Sequence, residues 1–218
     1  EEQCSGMSQK ISIFDPISVT PHAFPVPVEA AWSIGGTPAD CVKAAVNFLL
    51  EEKPDVVLSG INNGYNAGFD TAYSGTIGAA MEALMKGIPA IAFSKHLVSG
   101  VDDYSVTERW LLPLLADLLD SPLPPHELWN VNFPGVPAAE CRGVLRGRSV
   151  APVQLYRDLY RREDRPDGSF TIRNISKPID PEQAPEGSDI HAVLSGYVSV
   201  GTLCCPVLQP NSAFLHIL

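Results

Sequence analysis

The sequence predicts an α/β fold, a doubly wound layer sandwich in which helices cover both faces of a sheet. Two patterns that alternate along the chain support this prediction. Short apolar segments typical of buried parallel strands lie at 55–59 and 88–93, and a further strand is predicted at 128–133. Segments with apolar side chains three or four positions apart, typical of helices, lie at 37–50, 76–86 and 106–119. Helices and strands therefore alternate as such a sandwich requires.

The chain before the first helix is predicted to be a loop followed by irregular extended structure. Residues 1–10 are polar, and the chain starts with neither an initiator methionine nor a signal peptide. Prolines recur through 11–24, which confines that segment to an edge or irregular strand. A short strand is expected at 30–34, before a pair of glycines.

The helix boundaries can be placed from capping residues. Thr37, Pro38 and Asp40 combine an N-cap oxygen, a proline at the first helical position and an acid in the first turn. Gly87 is expected to end the helix that begins at Thr76. The third helix is expected to bend at its internal proline.

The pattern changes beyond about residue 141, so we divide the chain into a core at 1–140 and a β-rich extension at 141–218. Within the extension, a stretch at 156–167 is dense in Arg, Asp and Tyr, and strands are predicted at 169–174 and 197–205. No helical or strand periodicity in this stretch is long enough to form a hydrophobic core of its own. We expect the extension to project toward a partner subunit.

Composition and charge exclude several classes of partner. The 218 residues include 15 basic and 25 acidic side chains, for a formal net charge of −10. Nucleic-acid polymers and anionic membranes require a cationic face, so neither is an expected partner. The five cysteines form no C-x-x-C pair. Reduced thiols and a cytoplasmic location are therefore expected.

A loop rich in glycine and asparagine is the most informative stretch for function. Between Ser59 and Thr76, three glycines permit positive φ angles, and Asn62 and Asn66 supply amide groups. Ser74, Gly75 and Thr76 then open a helix, so unpaired backbone N–H groups face the loop. The loop is either an anion site of the kind that phosphate uses or a long capped connection.

Other catalytic signatures are absent or isolated. The sequence contains no G-x-x-x-x-G-K-[ST] phosphate loop and no G-x-S-x-G nucleophile elbow. Cys4 is a candidate nucleophile without an evident histidine partner, and a small core residue is the commoner role of cysteine. His191 is interpreted as structural rather than as a general base. No histidines have the spacing of a metal site.

Several ordered motifs make the chain resemble the SurE (survival protein E) nucleotidase family. The principal one is the Gly/Asn loop, from Ser-Gly-Ile-Asn at 59–62 to Tyr-Ser-Gly-Thr at 73–76. The others are similar to family segments in the same order, and lie at 5–8, 36–42, 130–134, 187–189 and 196–199. The resemblance spans nearly the whole chain.

The resemblance implies a Rossmann-like core and a divalent-metal phosphomonoesterase that acts on nucleoside 5′- and 3′-monophosphates. It implies that Ser5 and Asn62 bind the metal, most readily Mg²⁺ or Mn²⁺. It assigns the phosphate to Asn66, Ser74, Gly75 and Thr76. Family members are usually dimers or tetramers assembled through a swapped C-terminal extension. Asp70 could orient ligands around the metal, or simply cap the local backbone.

One part of the family pattern has no counterpart in this sequence. The family binds its metal through an adjacent Asp-Asp pair that follows its first strand, and the chain begins after that point. We therefore expect that an N-terminal βαβ segment is missing. Ser5 and Asn62 are neutral ligands, whereas hard cations usually require carboxylates. The alternative function is a non-catalytic protein that binds phosphate or nucleotides.

Overall fold

The computed structural model describes residues 6–97 and 103–208. Four α-helices occur in these ranges: α1 Pro38–Ala44, α2 Gly75–Met85, α3 Ser105–Leu119 and α4 Asp189–Leu194. The first strands are β1 Val19–Pro21, β2 Trp32–Ile34, β3 Val57–Asn63, β4 Ala90–Lys95, β5 Glu127–Phe133 and β6 Val144–Arg148. The remaining ones are β7 Tyr156–Arg157, β8 Tyr160–Asp164, β9 Phe170–Asn174, β10 Lys177–Pro178 and β11 Val198–Cys204.

A five-stranded sheet in the order β3-β4-β5-β11-β6 forms the centre of the fold. Strands β3, β4 and β5 are parallel to one another. Strand β11 is antiparallel to β5 and parallel to β6. Because the helices lie between successive strands, the α/β layer architecture predicted from the sequence is confirmed.

Helices cover the two faces of this sheet. On one face, α1 and α2 pack through small residues such as Ala79 and Ala83 against Ala90 and Leu128 of the sheet. On the other face, α3 packs against the side chains that alternate with these, including Phe93. A third apolar cluster lies around Tyr65, Leu155 and Ile190, under the loops that follow the strands.

Local capping explains where α1 begins. The Thr37 hydroxyl accepts a hydrogen bond from the Asp40 amide at 3.2 Å, and the Asp40 carboxylate accepts one from the Thr37 amide at 2.9 Å. Asp40 also accepts from the amide and hydroxyl of Ser12. Burial raises the pKa of Asp40, but these hydrogen bonds outweigh burial and hold it below its ordinary value.

Three local expectations require adjustment. Strand β3 continues to Asn63, four residues beyond the predicted end, with an irregular register between Ser59 and Asn62. A π-helical turn at Ala45–Leu49 continues α1, and a 3₁₀-helix at Phe69–Tyr73 precedes α2. Helix α3 runs as one element through Pro113, and the bend expected there stays a prediction. Among the described helices, none is long and apolar enough to cross a membrane.

The predicted boundary near residue 140 falls between strands of the same sheet. Strands β6 and β11 come from the chain after that boundary, yet both are part of the central sheet. Strand β11 belongs there because its Val198 and Val200 side chains are completely buried against the α3 side of the core. The part of the chain that leaves the sheet is narrower, and comprises the short pair β7–β10 and the hairpin β8–β9.

Candidate functional site

The start of helix α2 lies beside the end of strand β3. Ser59 in β3 donates a hydrogen bond from its hydroxyl to the carbonyl oxygen of Thr76 at 2.8 Å, which fixes the first turn of α2 against the sheet. The carboxyl ends of parallel strands are where α/β sheets bind ligands. The structure therefore brings the Gly/Asn loop and the predicted phosphate segment together at this edge.

The first amides of α2 are available to a ligand. Ser74 is the N-cap, and its hydroxyl accepts a hydrogen bond from the Ile77 amide at 3.2 Å. Neither the Gly75 amide nor the Thr76 amide donates to any other residue that the structure describes. Unpaired amides at a helix start, together with the helix dipole, favour an anion.

The segment after Ser5 packs against this helix start. The Ser8 amide and hydroxyl donate to the carbonyl oxygens of Tyr73 and Ala72, each at 2.9 Å. A Cβ atom on Gly78 would overlap the Ser8 carbonyl oxygen, so the close approach requires glycine. Ser5 itself, predicted as a metal ligand, and Cys4 lie outside the described residues.

Asn62, the other predicted metal ligand, lies at the end of β3. Its side-chain nitrogen donates to the Gly64 carbonyl oxygen at 2.8 Å, which leaves its amide oxygen as the atom able to bind a cation. The neighbouring Asn63 has a buried side-chain oxygen without a hydrogen-bond partner among the described residues. The Asn62 oxygen is thus the one available at this position, whereas the Asn63 oxygen is buried.

Asn66, predicted to bind phosphate, is held inside the protein. Its side-chain nitrogen donates to the Ser94 hydroxyl at 2.7 Å, and its amide donates to the Asn132 side-chain oxygen at 2.9 Å. The side chains of Asn130 and Asn132 both donate to its carbonyl oxygen. Because Asn66 is 5% exposed and these groups are paired, its observed role is to fix the loop against β4 and β5.

A buried carboxylate holds the next turn of the loop. Asp189, the first residue of α4, accepts hydrogen bonds from the amides of Gly68, Ala151 and Ile190 at 2.7–2.9 Å. Burial raises the pKa of Asp189 and outweighs these three donors. Gly68 has a φ of +56°, and a Cβ there would overlap the Val153 carbonyl oxygen. No larger residue fits this position.

The Asp70 carboxylate contacts backbone amides of a distant segment. One of its carboxylate oxygens accepts from the amides of Leu155 at 2.8 Å and Tyr156 at 3.3 Å. Burial raises the pKa of Asp70 more than these amides lower it. Backbone capping, one of the two roles considered from the sequence, is seen for this oxygen, with amides contributed by the chain that leads into β7 instead of by its own helix. The role in orienting ligands around the metal stays a prediction.

The described residues do not by themselves fit a hard divalent cation. They contain no group of three or more His, Cys, Asp or Glu side chains able to bind one metal ion. The carboxylates of Asp40, Asp70 and Asp189 all accept hydrogen bonds from backbone amides. Asn62 offers a neutral oxygen, whereas such cations are normally bound by carboxylates.

The family model for survival protein SurE matches residues 1–152 of the chain. The chain belongs to the SurE family. This match includes every segment that forms the strand-end site: the Gly6–Ser8 loop, the Gly/Asn loop and the start of α2. The resemblance inferred from the ordered motifs is therefore confirmed.

Individual SurE proteins are similar over most of the chain. A protein named 5′-nucleotidase SurE from Thermosynechococcus vestitus is 38% identical over 210 residues, covering 93% of this chain and 77% of the relative. One with the same name from Synechococcus sp. is 37% identical over 216 residues, 98% of this chain and 81% of the relative. The crystal structure of the SurE protein from Aquifex aeolicus matches with a TM-score of 0.76 at 30% identity, covering 97% of this chain and 82% of that one.

The sequence analysis did not assign roles to three residues that hold the site. Asn132 and Asn130 interrupt an otherwise apolar strand, and that alternation of amides with buried residues was the available signal. Asp189 follows the N-cap Ser188, so it resembled an ordinary first-turn acid. Its contact with Gly68, at a separation of 121 residues, has no local signal.

Proposed function

We propose that the protein is a metal-dependent phosphomonoesterase that hydrolyses nucleoside 5′- and 3′-monophosphates. The observation that carries this proposal is that the Gly75 and Thr76 amides, at the start of α2 beside β3, donate to no other residue that the structure describes. Membership of the SurE family and the name 5′-nucleotidase of its relatives support a nucleotide substrate.

In this proposal Ser74, Gly75 and Thr76 bind the phosphoryl group. Backbone amides offset the charge of the phosphate oxygens, and because the helix start is fixed by Ser59 they need no reorganisation during the reaction. Asn66, assigned to phosphate by the resemblance, acts through the loop that it holds. The net charge of −10 makes such local donors necessary for binding an anion.

We further propose dependence on Mg²⁺ or Mn²⁺, which the family resemblance implies. Among the described residues Asn62 is the one predicted ligand, so carboxylates from outside the described residues would have to complete the site. Loss of phosphate release on chelation, with recovery on adding Mg²⁺ or Mn²⁺, is the expected result.

Assembly through the extension is also proposed. Hairpin β8–β9 is exposed along both strands, and Tyr160, Phe170 and Ile172 are more than half exposed. Aromatic side chains of this kind favour protein interfaces, and a homodimer or homotetramer is the expected product. A cytoplasmic location is proposed as well, supported by free thiols at every described cysteine.

The alternative is a non-catalytic protein that binds phosphate at the same amides. The absence of a carboxylate cluster among the described residues favours this reading, because phosphoryl transfer requires more than charge neutralisation. Turnover separates the two: the alternative predicts nucleotide binding without release of orthophosphate at any metal concentration tested.

A pair of variants at Gly75 tests the proposed phosphate site. Ser74 has φ −77° and ψ 124°, which suits a residue before proline, so Gly75→Pro removes one amide N–H while retaining the helix start. Gly75→Ala introduces a Cβ about as close to Pro38 but keeps the N–H. We expect Gly75→Pro to lose about 100-fold in turnover of nucleoside monophosphates relative to Gly75→Ala. Equal turnover in the two folded variants would contradict the proposal.

A further inference from the structure

A small cavity of about 100 Å³ opens at the same sheet edge, but on the face covered by α3. It lies between the ends of β4 and β5 and the first turn of α3. Its polar lining comes from Lys95, His96, Asp103 and Thr107, and its walls are the segment Phe133–Pro137 and Val106. The volume accommodates several water molecules or one small ion.

Lys95 is almost fully buried and forms no ion pair within the described residues, although its charge acts on Asp103 in the same lining. Its residue is 3% exposed, and its ammonium nitrogen lies 4.3 Å from the centroid of the Tyr104 ring. No hydrogen bond or ion pair joins this nitrogen to any residue within 6–97 or 103–208. A buried charge is expensive unless it is paired, and an aromatic face compensates only part of that cost.

His96 adds a second unpaired group. Its Nδ1 atom is buried and has no hydrogen-bond partner among the described residues. Burial, followed by the charge of Lys95, lowers the pKa of His96, so the ring is neutral near pH 7. A neutral imidazole carries one N–H donor, and in the tautomer protonated at Nδ1 this atom can donate to a bound acceptor.

The first turn of α3 completes the cavity. Val106 and Thr107 belong to this turn of a 15-residue helix, whose positive dipole end therefore faces the cavity. The Thr107 side chain is buried and forms no hydrogen bond to another described residue. Asp103 is the one acid in the lining; it is exposed, and its carboxylate already accepts a hydrogen bond from the Ser105 amide at 2.8 Å.

We propose that this cavity binds a small oxyanion, such as orthophosphate, between Lys95, His96 and the start of α3. The occupant would supply the negative charge that buried Lys95 lacks and the acceptors that His96 and Thr107 lack. It is a different site from the amides of Gly75 and Thr76, because α2 and α3 cover opposite faces of the sheet. The proposal does not depend on the protein being a nucleotidase.

The cavity is nevertheless linked to the Gly/Asn loop. The Gly64 amide donates to the Lys95 carbonyl oxygen at 2.9 Å, and the Gly135 amide donates to the Tyr65 hydroxyl at 2.8 Å. The rings of Tyr65 and His96 are 5.1 Å apart. The residues that line the cavity therefore contact the same loop that positions the candidate active site.

Crystals of the protein soaked in selenate test the proposal through the anomalous signal of selenium. We expect a selenium peak about 4 Å from the Lys95 ammonium nitrogen, because a selenate oxygen lies between the two atoms at hydrogen-bond distance from the nitrogen. The same soak with Lys95→Met should remove this peak, whereas Lys53→Met, a control at an exposed lysine, should retain it. A peak only at the α2 amides, or Lys95 paired with Asp103 and no anion, would overturn the inference. A peak only at Lys95 would instead count against the proposed function.

Binding in solution gives a second measurement and identifies the source of the anion. Lys95→Met should weaken calorimetric binding of orthophosphate to this site by about tenfold or more relative to Lys53→Met, since a charge-assisted contact is lost. Asp103→Asn should strengthen it. Soaks with orthophosphate and with a nucleoside monophosphate then distinguish a free ion from a phosphoryl group of the substrate. Unchanged orthophosphate binding in folded Lys95→Met would contradict the proposal.

Discussion

The Gly/Asn loop and the hairpin β8–β9 are both polar segments, yet one is buried and the other is exposed. In the Gly/Asn loop, Tyr65–Gly68 is buried, and its amides and carbonyls are bonded to Asn132, Asn130 and Asp189. In the hairpin β8–β9, every residue of both strands is exposed, and its polar contacts stay within the hairpin or on its surface. The difference lies in distant partners, which are present for the first region and absent, among described residues, for the second.

This contrast indicates where the chain needs rigidity. The Gly/Asn loop positions the α2 amides, so displacing it would move the proposed phosphate site. The hairpin fixes nothing in the described sheet, which leaves its aromatic side chains available to another chain. Substitutions should therefore have large effects on stability in the loop and small ones in the hairpin.

The largest effect on stability is expected at Asn132. Asn132→Ala removes the acceptor of the Asn66 amide and leaves a cavity, which should lower the free energy of unfolding by about 3 kcal/mol. Asn130→Ala removes one of two donors to the Asn66 carbonyl, together with a side-chain oxygen that has no described partner, so about 1 kcal/mol is expected. Urea denaturation measures the free energy of unfolding of both variants. Equal losses for Asn132→Ala and Asn130→Ala would contradict this prediction.

The buried carboxylate of Asp189 and the partly buried one of Asp70 should differ next. Both oxygens of Asp189 accept amides, so Asp189→Asn turns an NH₂ group toward a backbone N–H and should lower the free energy of unfolding by about 2 kcal/mol. A single oxygen of Asp70 accepts both of its amides, and Asp70→Asn retains an oxygen for them, so less than about 1 kcal/mol is expected. Thermal and urea unfolding measure both. A larger loss for Asp70→Asn would contradict this account.

The contribution of Asp40 to the free energy of unfolding is expected to depend on pH. Its pKa in the folded protein lies below the ordinary value of 3.8, so its charged form contributes stability above that value. This contribution is lost as the pH falls through the folded-state pKa. The difference in free energy of unfolding between wild type and Asp40→Asn, about 1 kcal/mol at pH 7, should therefore shrink below pH 3.8. A difference that grows in acid would show that burial dominates.

The smallest effect on stability is expected in the hairpin. Replacing Tyr160, Phe170 and Ile172 together by serine should change the free energy of unfolding at fixed low protein concentration by about 0.5 kcal/mol or less. The same variant should lower the oligomer mass in light scattering if these side chains form the proposed interface. If wild type and the triple variant have the same oligomer mass, the hairpin is a surface loop and not an interface.

The sequence by itself determined the features that depend on neighbouring residues. The order of strands and helices follows from apolar periodicity, and the starts of α1 and α2 follow from Thr37 and Ser74. Capping involves partners within about four residues, so it can be read from a short window. The SurE motifs are of the same local kind, and the family match confirms what they indicated.

Only the tertiary structure decided which polar side chains reach a ligand and which hold the backbone. Asn66 pairs with Asn132 across 66 positions, and Asp70 with Leu155 across 85. The sequence also could not show that β11 enters the sheet beside β5, or that Lys95 lines a cavity on the α3 face. An amide or carboxylate has the same appearance in a sequence whether it faces solvent, backbone or ligand. Its role is set by the groups that folding brings within hydrogen-bonding distance.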